Sequence, residues 1–122
     1  MAIRVLLVDE SEELRNMLKF PLLYLGFEVF EAQDALEAIG MLEHQAVEVV
    51  ITDWEMPQMS GLELVRTIRQ TPRWQTLPVV LLLKESQVHK RNDLLTIGVT
   101  DTLVLPNEVR KIAAKIKKAM LA

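Results

Sequence analysis

The stretch Val49-Val50-Ile51-Thr52-Asp53-Trp54-Glu55-Met56-Pro57 decides how the chain folds. An apolar run of strand length ends at one carboxylate, Asp53, and the pattern breaks shortly afterwards at Pro57. A continuous apolar run predicts a strand that is buried on both faces of a parallel sheet. Because open α/β sheets bind ligands at the carboxyl tips of their strands, Asp53 is a candidate site residue.

A second apolar run, Ile3 to Val8, ends in the acid pair Asp9-Glu10. Right-handed crossovers place the tips of both runs on the same edge of the sheet. We therefore expect Asp9, Glu10 and Asp53 to converge on one cleft. Three gathered carboxylates are typical of a divalent-metal site, and the small number of protein oxygens favours Mg²⁺ over Ca²⁺.

Five apolar runs alternate with segments of helical period, which predicts an α/β fold with a parallel sheet covered by helices on both faces. Continuous Val, Ile and Leu in the first, third and fourth runs indicates interior strands, and the more alternating second run indicates an edge strand. The predicted strands are Ile3 to Val8, Phe27 to Glu31, Val47 to Thr52, Val79 to Leu83 and Thr102 to Leu105.

Helix starts are marked by short polar residues. Ser11 is the predicted N-cap of the first helix, because acids follow it in the first turn. Asp34 with Glu37, and Ser60 with Glu63, have the spacing of capping boxes and predict the starts of the second and third helices.

The last two helices carry weaker signals. Residues Ser86 to Ile97 have only a thin apolar face before Gly98 can end the helix. The fifth helix is predicted from about Asn107, with a solvent-facing stripe of lysines: Lys111, Lys115 and Lys118.

Composition narrows the class of protein. The 122 residues predict one domain, 1–122, and are too few for a second, DNA-binding module. A net charge of -3 with acids and bases mixed along the chain argues against direct nucleic-acid binding. No apolar run reaches the roughly 18 residues of a membrane span, and the absence of cysteine fits a cytoplasmic protein. No Gly-rich phosphate loop follows any strand, which argues against a nucleotide binder.

Val8-Asp9-Glu10-Ser11, together with Asp53-Trp54-Glu55-Met56-Pro57-Gln58-Met59-Ser60-Gly61, resembles the CheY-like receiver domain of two-component response regulators, and the resemblance covers the whole chain. It implies a doubly wound, flavodoxin-like (βα)₅ three-layer sandwich with strand order 2-1-3-4-5. It also implies a regulatory switch in a phosphorelay, not a metabolic enzyme. The chain would be a stand-alone receiver or one excised from a longer protein.

The resemblance implies roles for particular residues. Asp53 would accept a phosphoryl group from a sensor histidine kinase or a histidine phosphotransfer protein. Mg²⁺ would be bound directly by Glu10, Asp53 and the backbone carbonyl of Glu55, and through water by Asp9. Glu10 stands where the family more often has Asp, so its longer side chain would shift the ion. A Leu105-Pro106 bond in the cis form is also implied.

Three switch positions of the family are substituted here. Leu105 precedes Pro106 where the family has a Lys, and Leu83 stands where a Ser or Thr closes the fourth strand. Thr102 replaces an aromatic residue that changes rotamer on activation. A missing ammonium removes a charge-assisted hydrogen bond to the phosphoryl group, a class worth roughly 1.5 to 3 kcal/mol.

Two alternatives stay open from the sequence. Lys84 is either an ordinary solvated lysine, the commoner role, or a flexible ammonium that partly replaces the missing charge. The chain is either a phosphorylated receiver or a pseudo-receiver that signals by protein contacts with little or no phosphorylation. In the family the fourth helix, fifth strand and fifth helix often form the dimer or partner surface, so these elements are a secondary candidate for a homodimer or partner surface.

Overall fold

The computed structural model describes residues 2–121 as a five-stranded parallel sheet in the order β2-β1-β3-β4-β5, with helices between the strands. The predicted fold class and strand order are confirmed. The strands are β1 Arg4–Val8, β2 Glu28–Ala32, β3 Val49–Thr52, β4 Val79–Lys84 and β5 Asp101–Leu105. The helices are α1 Glu12–Tyr24, α2 Ala35–His44, α3 Gly61–Gln70, α4 Arg91–Ile97 and α5 Ile112–Leu121.

Two apolar cores enclose the sheet, one on each face. One core joins β1, β3 and β4 to α2, α3 and α4, and the other joins the same strands to α1 and α5. Along β4, Leu81 and Leu83 belong to the first core, while Val80 and Leu82 belong to the second. Burial on both faces explains why the interior strands have continuous apolar sequences.

The helix starts follow the predicted caps. The Ser11 hydroxyl accepts a hydrogen bond from Leu14 N–H, and Ser60 forms a complete capping box with Glu63. Asp34 caps α2 by accepting from Glu37 N–H, at 2.8 Å. No helix among residues 2–121 has both the length and the apolar character that crossing a bilayer requires.

Some predicted boundaries are wrong. The third strand begins at Val49 instead of Val47, and the second runs one residue later than predicted. The segment predicted as one helix from Ser86 to Ile97 is divided into a 3₁₀ turn, residues 85–90, and the short α4, which ends at Gly98 as predicted. Among residues 85–90 only Val88 packs against the apolar core, so little burial stabilises a regular helix there.

The fifth helix begins at Ile112, later than the predicted Asn107, after a 3₁₀ turn at residues 109–111. Lys115 is not on a solvent-facing stripe: its side chain is only 17% exposed. Its ammonium donates to the Thr102 carbonyl and lies 3.6 Å from Glu108 and 3.7 Å from Asp101. Periodicity alone could not reveal these partners, which lie on β5 and in the turn before α5.

Glu108 joins the three elements α4, β5 and α5. Its Oε1 accepts from the Val104 N–H at 2.7 Å and from Arg91 at 3.2 Å, and Lys115 lies nearby. Burial alone would raise the pKa of Glu108, but the Val104 N–H and the surrounding cations, Lys111 included, outweigh it and lower the pKa.

Arg69, near the end of α3, forms hydrogen bonds at the amino-terminal ends of β4 and β5. Its guanidinium donates to the carbonyls of Gly98 at 2.9 Å and Leu77 at 2.6 Å, and to the Thr100 hydroxyl at 3.3 Å. Leu77 precedes β4, and Thr100 precedes β5. One side chain therefore connects α3 to the amino ends of both strands.

We expect Glu108→Gln to lower the free energy of unfolding by about 1 to 3 kcal/mol near neutral pH, because charged hydrogen bonds to Val104 N–H and Arg91 are weakened. A carboxylate with a lowered pKa stabilises the fold above its ordinary value of 4.5, and this contribution is lost as the pH falls through the folded-state pKa. The difference from wild type should therefore shrink in acid.

Urea unfolding at about pH 7 and about pH 3 measures this difference. Glu43→Gln, an exposed acid of α2, is the control and should change stability little at either pH. Equal losses for Glu108→Gln at both pH values would contradict the electrostatic explanation.

Candidate acidic site at the carboxyl edge of the sheet

Asp9 and Asp53 lie side by side because each continues a hydrogen-bonded ladder one residue past its strand. Asp53 N–H donates to the Val8 carbonyl at 2.9 Å, and Asp9 N–H donates to the Ala32 carbonyl at 3.1 Å. The pairing of Val8 with Thr52 sets the register. Two of the three predicted acids therefore meet at the carboxyl edge, as the sequence indicates.

The Asp9 carboxylate is buried and only half satisfied. The residue is 3% exposed. Its Oδ1 accepts from Ser11 N–H at 2.9 Å, while the buried Oδ2 has no hydrogen-bond partner among residues 2–121. Burial raises the pKa of Asp9, and the bond from Ser11 N–H and the charge of Arg15 oppose this rise.

Asp53 is partly buried, and its Oδ1 accepts a hydrogen bond from Trp54 N–H at 2.8 Å. Burial, followed by the charge of Asp9, raises the pKa of Asp53 to about 6. The Trp54 N–H and the Lys84 ammonium oppose this shift. A carboxyl group with a pKa near 6 is ionised at neutral pH and lacks a sufficient positive partner.

Glu10 does not join Asp9 and Asp53. Its residue is exposed, and no group of three or more His, Cys, Asp or Glu side chains with the spacing of metal ligands occurs among residues 2–121. The Glu10 side chain is exposed, although its charge acts on Asp9, and its role as a metal ligand stays a prediction. The unpartnered Oδ2 of Asp9 and the raised pKa of Asp53 nevertheless fit a hard cation with oxygen ligands.

Glu55, Lys84 and Gln87 form the rim of the site. The Glu55 carboxylate accepts from Gln87 at 3.2 Å and lies 3.6 Å from the Lys84 ammonium. The Lys84 side chain is 72% exposed, yet its charge is felt at Asp53. Lys84 is therefore a solvated lysine that lies close enough to influence the acidic site.

Next to the two acids lies a cavity of about 350 Å³ with mostly apolar walls. Its lining residues are Asp9, Leu14, Met17, Asp53, Leu82, Leu83, Lys84, Leu105 and Pro106. From the sequence pattern, Leu14 and Met17 were expected only to pack the first helix against the core. Their position in the first turns after Asp9-Glu10 is the signal that could have placed them beside the site.

The three substituted switch positions are apolar or buried here. Leu83 is buried, Leu105 is partly buried, and neither offers a hydrogen bond to the site from its side chain. The hydroxyl of the buried Thr102 has no partner among the described residues. The Leu105-Pro106 bond is cis, which confirms that expectation.

The loop from β3 to α3 is held tightly against Asp53. Gly61 N–H donates to the Trp54 carbonyl at 2.7 Å, and a Cβ at Gly61 would stand 2.1 Å from the Asp53 carbonyl oxygen. Trp54 packs beside the core with the Lys90 ammonium 5.4 Å from its ring centre, which agrees with an aromatic wall at the site.

A parallel (βα)₅ sheet with two carboxylates at its carboxyl edge defines a receiver-like module. Residues 5–117 match the sequence model of the response regulator receiver domain, and the chain belongs to that family. Receiver domains are signalling switches of two-component systems, not typical enzymes.

Chemotaxis proteins are among the similar sequences. The chain is 32% identical over 119 residues to a CheY homologue of Campylobacter jejuni, covering 96% of this chain and 92% of that protein. It is 34% identical over 116 residues to CheY1 of Helicobacter pylori, covering 93% and 94%. The structure of CheY4 of Vibrio cholerae superposes with a TM-score of 0.88 at 28% identity, covering 98% of this chain and 99% of that one.

Gly61→Ala should destabilise the protein by about 1 to 3 kcal/mol, because the new methyl group forces the Asp53 backbone to move. Gly40→Ala is the matched control: no atom lies within 4 Å of a Cβ there, so it should stabilise α2 by about 0.5 to 1 kcal/mol. Thermal unfolding of both variants checks this. A stabilised Gly61→Ala variant would contradict the close approach.

Asp53→Asn should raise the free energy of unfolding by roughly 1 to 2 kcal/mol at about pH 7.5. This figure is reduced from the full shift to about 6 because solvent reaches the carboxylate. A raised folded-state pKa means that ionisation of Asp53 costs stability as the pH rises through about 6.

The gain from Asp53→Asn should therefore disappear as the pH falls from about 6 towards 3.8, since Asp53 is then neutral in the folded wild type. Urea unfolding across this range measures the change. A gain that does not vary with pH would mean that something other than the charge of Asp53 is responsible.

Proposed function

We propose that Asp53 accepts a phosphoryl group from a sensor histidine kinase or histidine phosphotransfer protein and that the chain acts as a switch in a phosphorelay. The observation that carries the proposal is the position of Asp53: an ionised carboxylate at a strand tip, fixed by Trp54 N–H and open to a cavity. A carboxylate oxygen would bond to phosphorus while the bond from phosphorus to the donor nitrogen breaks. Family membership supports the same role.

The residues at the edge of the sheet fit Mg²⁺. Asp9, Glu10, Asp53 and the backbone carbonyl of Glu55 would supply the oxygen ligands, once Glu10 turns inward. The unpartnered Oδ2 of the buried Asp9 supports this assignment. When bound, Mg²⁺ supplies positive charge that offsets the gathered carboxylates and the incoming phosphoryl oxygens. The chain itself orients Asp53 through Trp54 N–H.

The switch would produce a weak structural response. The Leu83 side chain cannot donate to a phosphoryl oxygen, and Leu105 brings no ammonium. Thr102 has no aromatic ring that could change rotamer in response to the phosphoryl group. Its backbone carbonyl already accepts a hydrogen bond from Lys115. A phosphoryl group shifts a conformational equilibrium only through its differential interaction with the two states, and these groups would ordinarily provide it.

The second candidate function is a pseudo-receiver that signals by protein contacts without phosphorylation. The apolar cavity wall at Leu83 and Leu105 favours it, as does the position of Lys84 beside Glu55. In either case the surface formed by α4, β5 and α5 is the proposed surface for a partner or a second copy, with Lys111 and Lys118 exposed on it. A kinase that uses cellular ATP would place the chain in the cytoplasm.

Incubation with Mg²⁺ and acetyl phosphate, followed by intact-mass measurement, tests the first function. We expect slow addition of one phosphoryl group to the wild type and none to Asp53→Asn or in EDTA. Leu105→Lys should accelerate the reaction roughly tenfold or more by adding a charge-assisted bond. Leu36→Lys, the same change on the exposed face of α2, is the control.

Backbone chemical shifts in the presence of the donor measure the structural response. Leu83→Thr should enlarge the shift changes in α4 and β5 relative to wild type. Wild-type phosphorylation as fast as that of Leu105→Lys would contradict the role assigned to the missing ammonium, and Lys84→Ala would then show whether Lys84 supplies it. No phosphorylation of either protein would favour the pseudo-receiver.

A further inference from the structure

The cavity beside Asp9 and Asp53 has apolar walls, which a hydrated metal ion bound to the two acids would not contact. Two acids, Asp9 and Asp53, stand at one side of its volume of about 350 Å³. The apolar lining comes from α1, β4, the end of β5 and the proline that follows it: Leu14, Met17, Leu82, Leu83, Leu105 and Pro106. A cavity of this size is within the range of small-molecule sites, and apolar walls with few polar groups are typical of such sites.

The charge at this cavity is not balanced by the neighbouring cations. Oδ2 of Asp9 is buried and receives no hydrogen bond from residues 2–121. The Arg15 guanidinium donates instead to the Asp9 carbonyl and to Glu31. The Lys84 ammonium is largely exposed and lies beside Glu55. A buried carboxylate oxygen without a partner carries a substantial desolvation cost.

Different ligand classes fit the cavity unequally. An anion meets two carboxylates and is repelled. A neutral apolar molecule covers the walls but leaves Oδ2 of Asp9 unsatisfied. Mg²⁺ keeps several of its waters, so it satisfies the carboxylates while the leucines remain in contact with water. A cation with an apolar body satisfies both parts.

We propose that the cavity binds a primary aliphatic amine in its ammonium form, with the charged head donating to Asp9 Oδ2 and Asp53 and the alkyl chain lying against Leu83, Leu105 and Met17. The three N–H donors of an ammonium can serve both carboxylates. Each methylene that leaves water strengthens binding, so affinity depends on chain length. This binding does not require phosphoryl transfer, but the amine would compete with Mg²⁺ because both use the carboxylates of Asp9 and Asp53.

Bound amine would add a positive charge beside Asp53 to that of Lys84, which lines the cavity but only partly offsets the effect of burial and of Asp9 on the Asp53 carboxyl group. The Lys84 ammonium is largely exposed and lies 3.6 Å from Glu55. The cavity therefore gives the chain a way to sense an amine through the electrostatics of its acidic edge.

n-Pentylammonium chloride is the probe, in metal-free buffer containing EDTA at about pH 7.5, well below the pKa of about 10.4 that is typical of an alkyl ammonium such as that of Lys. Methyl resonances of Leu and Met residues report binding. We expect saturable shifts at Leu83, Leu105 and Met17 with a Kd in the millimolar range. The Kd should rise about threefold to fourfold for each methylene removed from the amine. Pentan-1-ol and pentanoate are matched in length and should bind at least about tenfold more weakly.

Variants test the contribution of the carboxylates separately from that of the apolar walls. Asp9→Asn should weaken n-pentylammonium binding about tenfold or more. Glu12→Gln, which removes an exposed acid from the first turn of α1, should leave the Kd unchanged. Leu83→Phe should abolish binding by filling the cavity, and Leu36→Phe on the exposed face of α2 is its control. Far-ultraviolet circular dichroism establishes that each variant is folded.

Three outcomes would overturn the proposal: no saturable shifts at the cavity methyl groups, pentan-1-ol binding as tightly as the amine, or an Asp9→Asn variant that binds as the wild type does. If Leu83→Phe does not fold, Asp9→Asn and the comparison of amine with alcohol still decide the matter.

Discussion

The hydrogen-bond register between β1 and β3 is the constraint on which the acidic site depends. Val8 pairs with Thr52, and Asp53 N–H continues the ladder to the Val8 carbonyl. The next residue of each strand is then an acid, and both acids stand at one edge. A slip of one residue would exchange the side chains that face the two cores, so packing of the interior strands enforces the register. Burial of the apolar side chains of β1 and β3 therefore determines where the two carboxylates lie.

This placement has an electrostatic cost. Asp9 is buried with one oxygen unpartnered, and its charge adds to the burial that raises the pKa of Asp53 to about 6. The apolar strands supply the stability that holds the two acids together. A bound cation should stabilise the folded protein, because it offsets the unfavourable burial of the two carboxylates. Mg²⁺ and an aliphatic ammonium could both supply this positive charge. Hydrated Mg²⁺ would leave the apolar wall in contact with water, whereas the alkyl chain of the amine would cover it.

Local sequence signals predicted much of the fold. Apolar runs between helical segments indicated all five strands, and Ser11 and Ser60 marked helix starts, because such caps involve neighbours within one turn. These signals failed where contacts between residues far apart in the sequence determine the structure. Lys115 looked solvent-facing until β5 and Glu108 supplied its partners. The helix from Ser86 divided because the core reaches only part of it.

The site was predictable to a similar degree. Asp9 and Asp53 follow directly from strand tips, since backbone pairing fixes them. The side chain of Glu10 did not follow, because its direction depends on rotamers and solvent that no sequence pattern encodes. The cavity required knowledge of where α1 lies against Leu83 and Leu105, which are far apart in the sequence. Backbone-determined features were therefore predictable, and features that depend on side-chain packing between elements were not.

The guanidinium of Arg69 has a mechanical consequence. By bonding backbone beside the start of β4 and the Thr100 hydroxyl before β5, it fixes both strands at one end. At the other end Lys84 and Leu105 border an open cavity. Arg69 therefore ties the amino ends of β4 and β5 to one helix, whereas at the carboxyl end β5 is held separately, by Glu108 at Val104 N–H. Movement of β4 relative to β5 would be smallest beside Arg69 and largest at Lys84 and Leu105, which border the acids of β1 and β3 without carrying them.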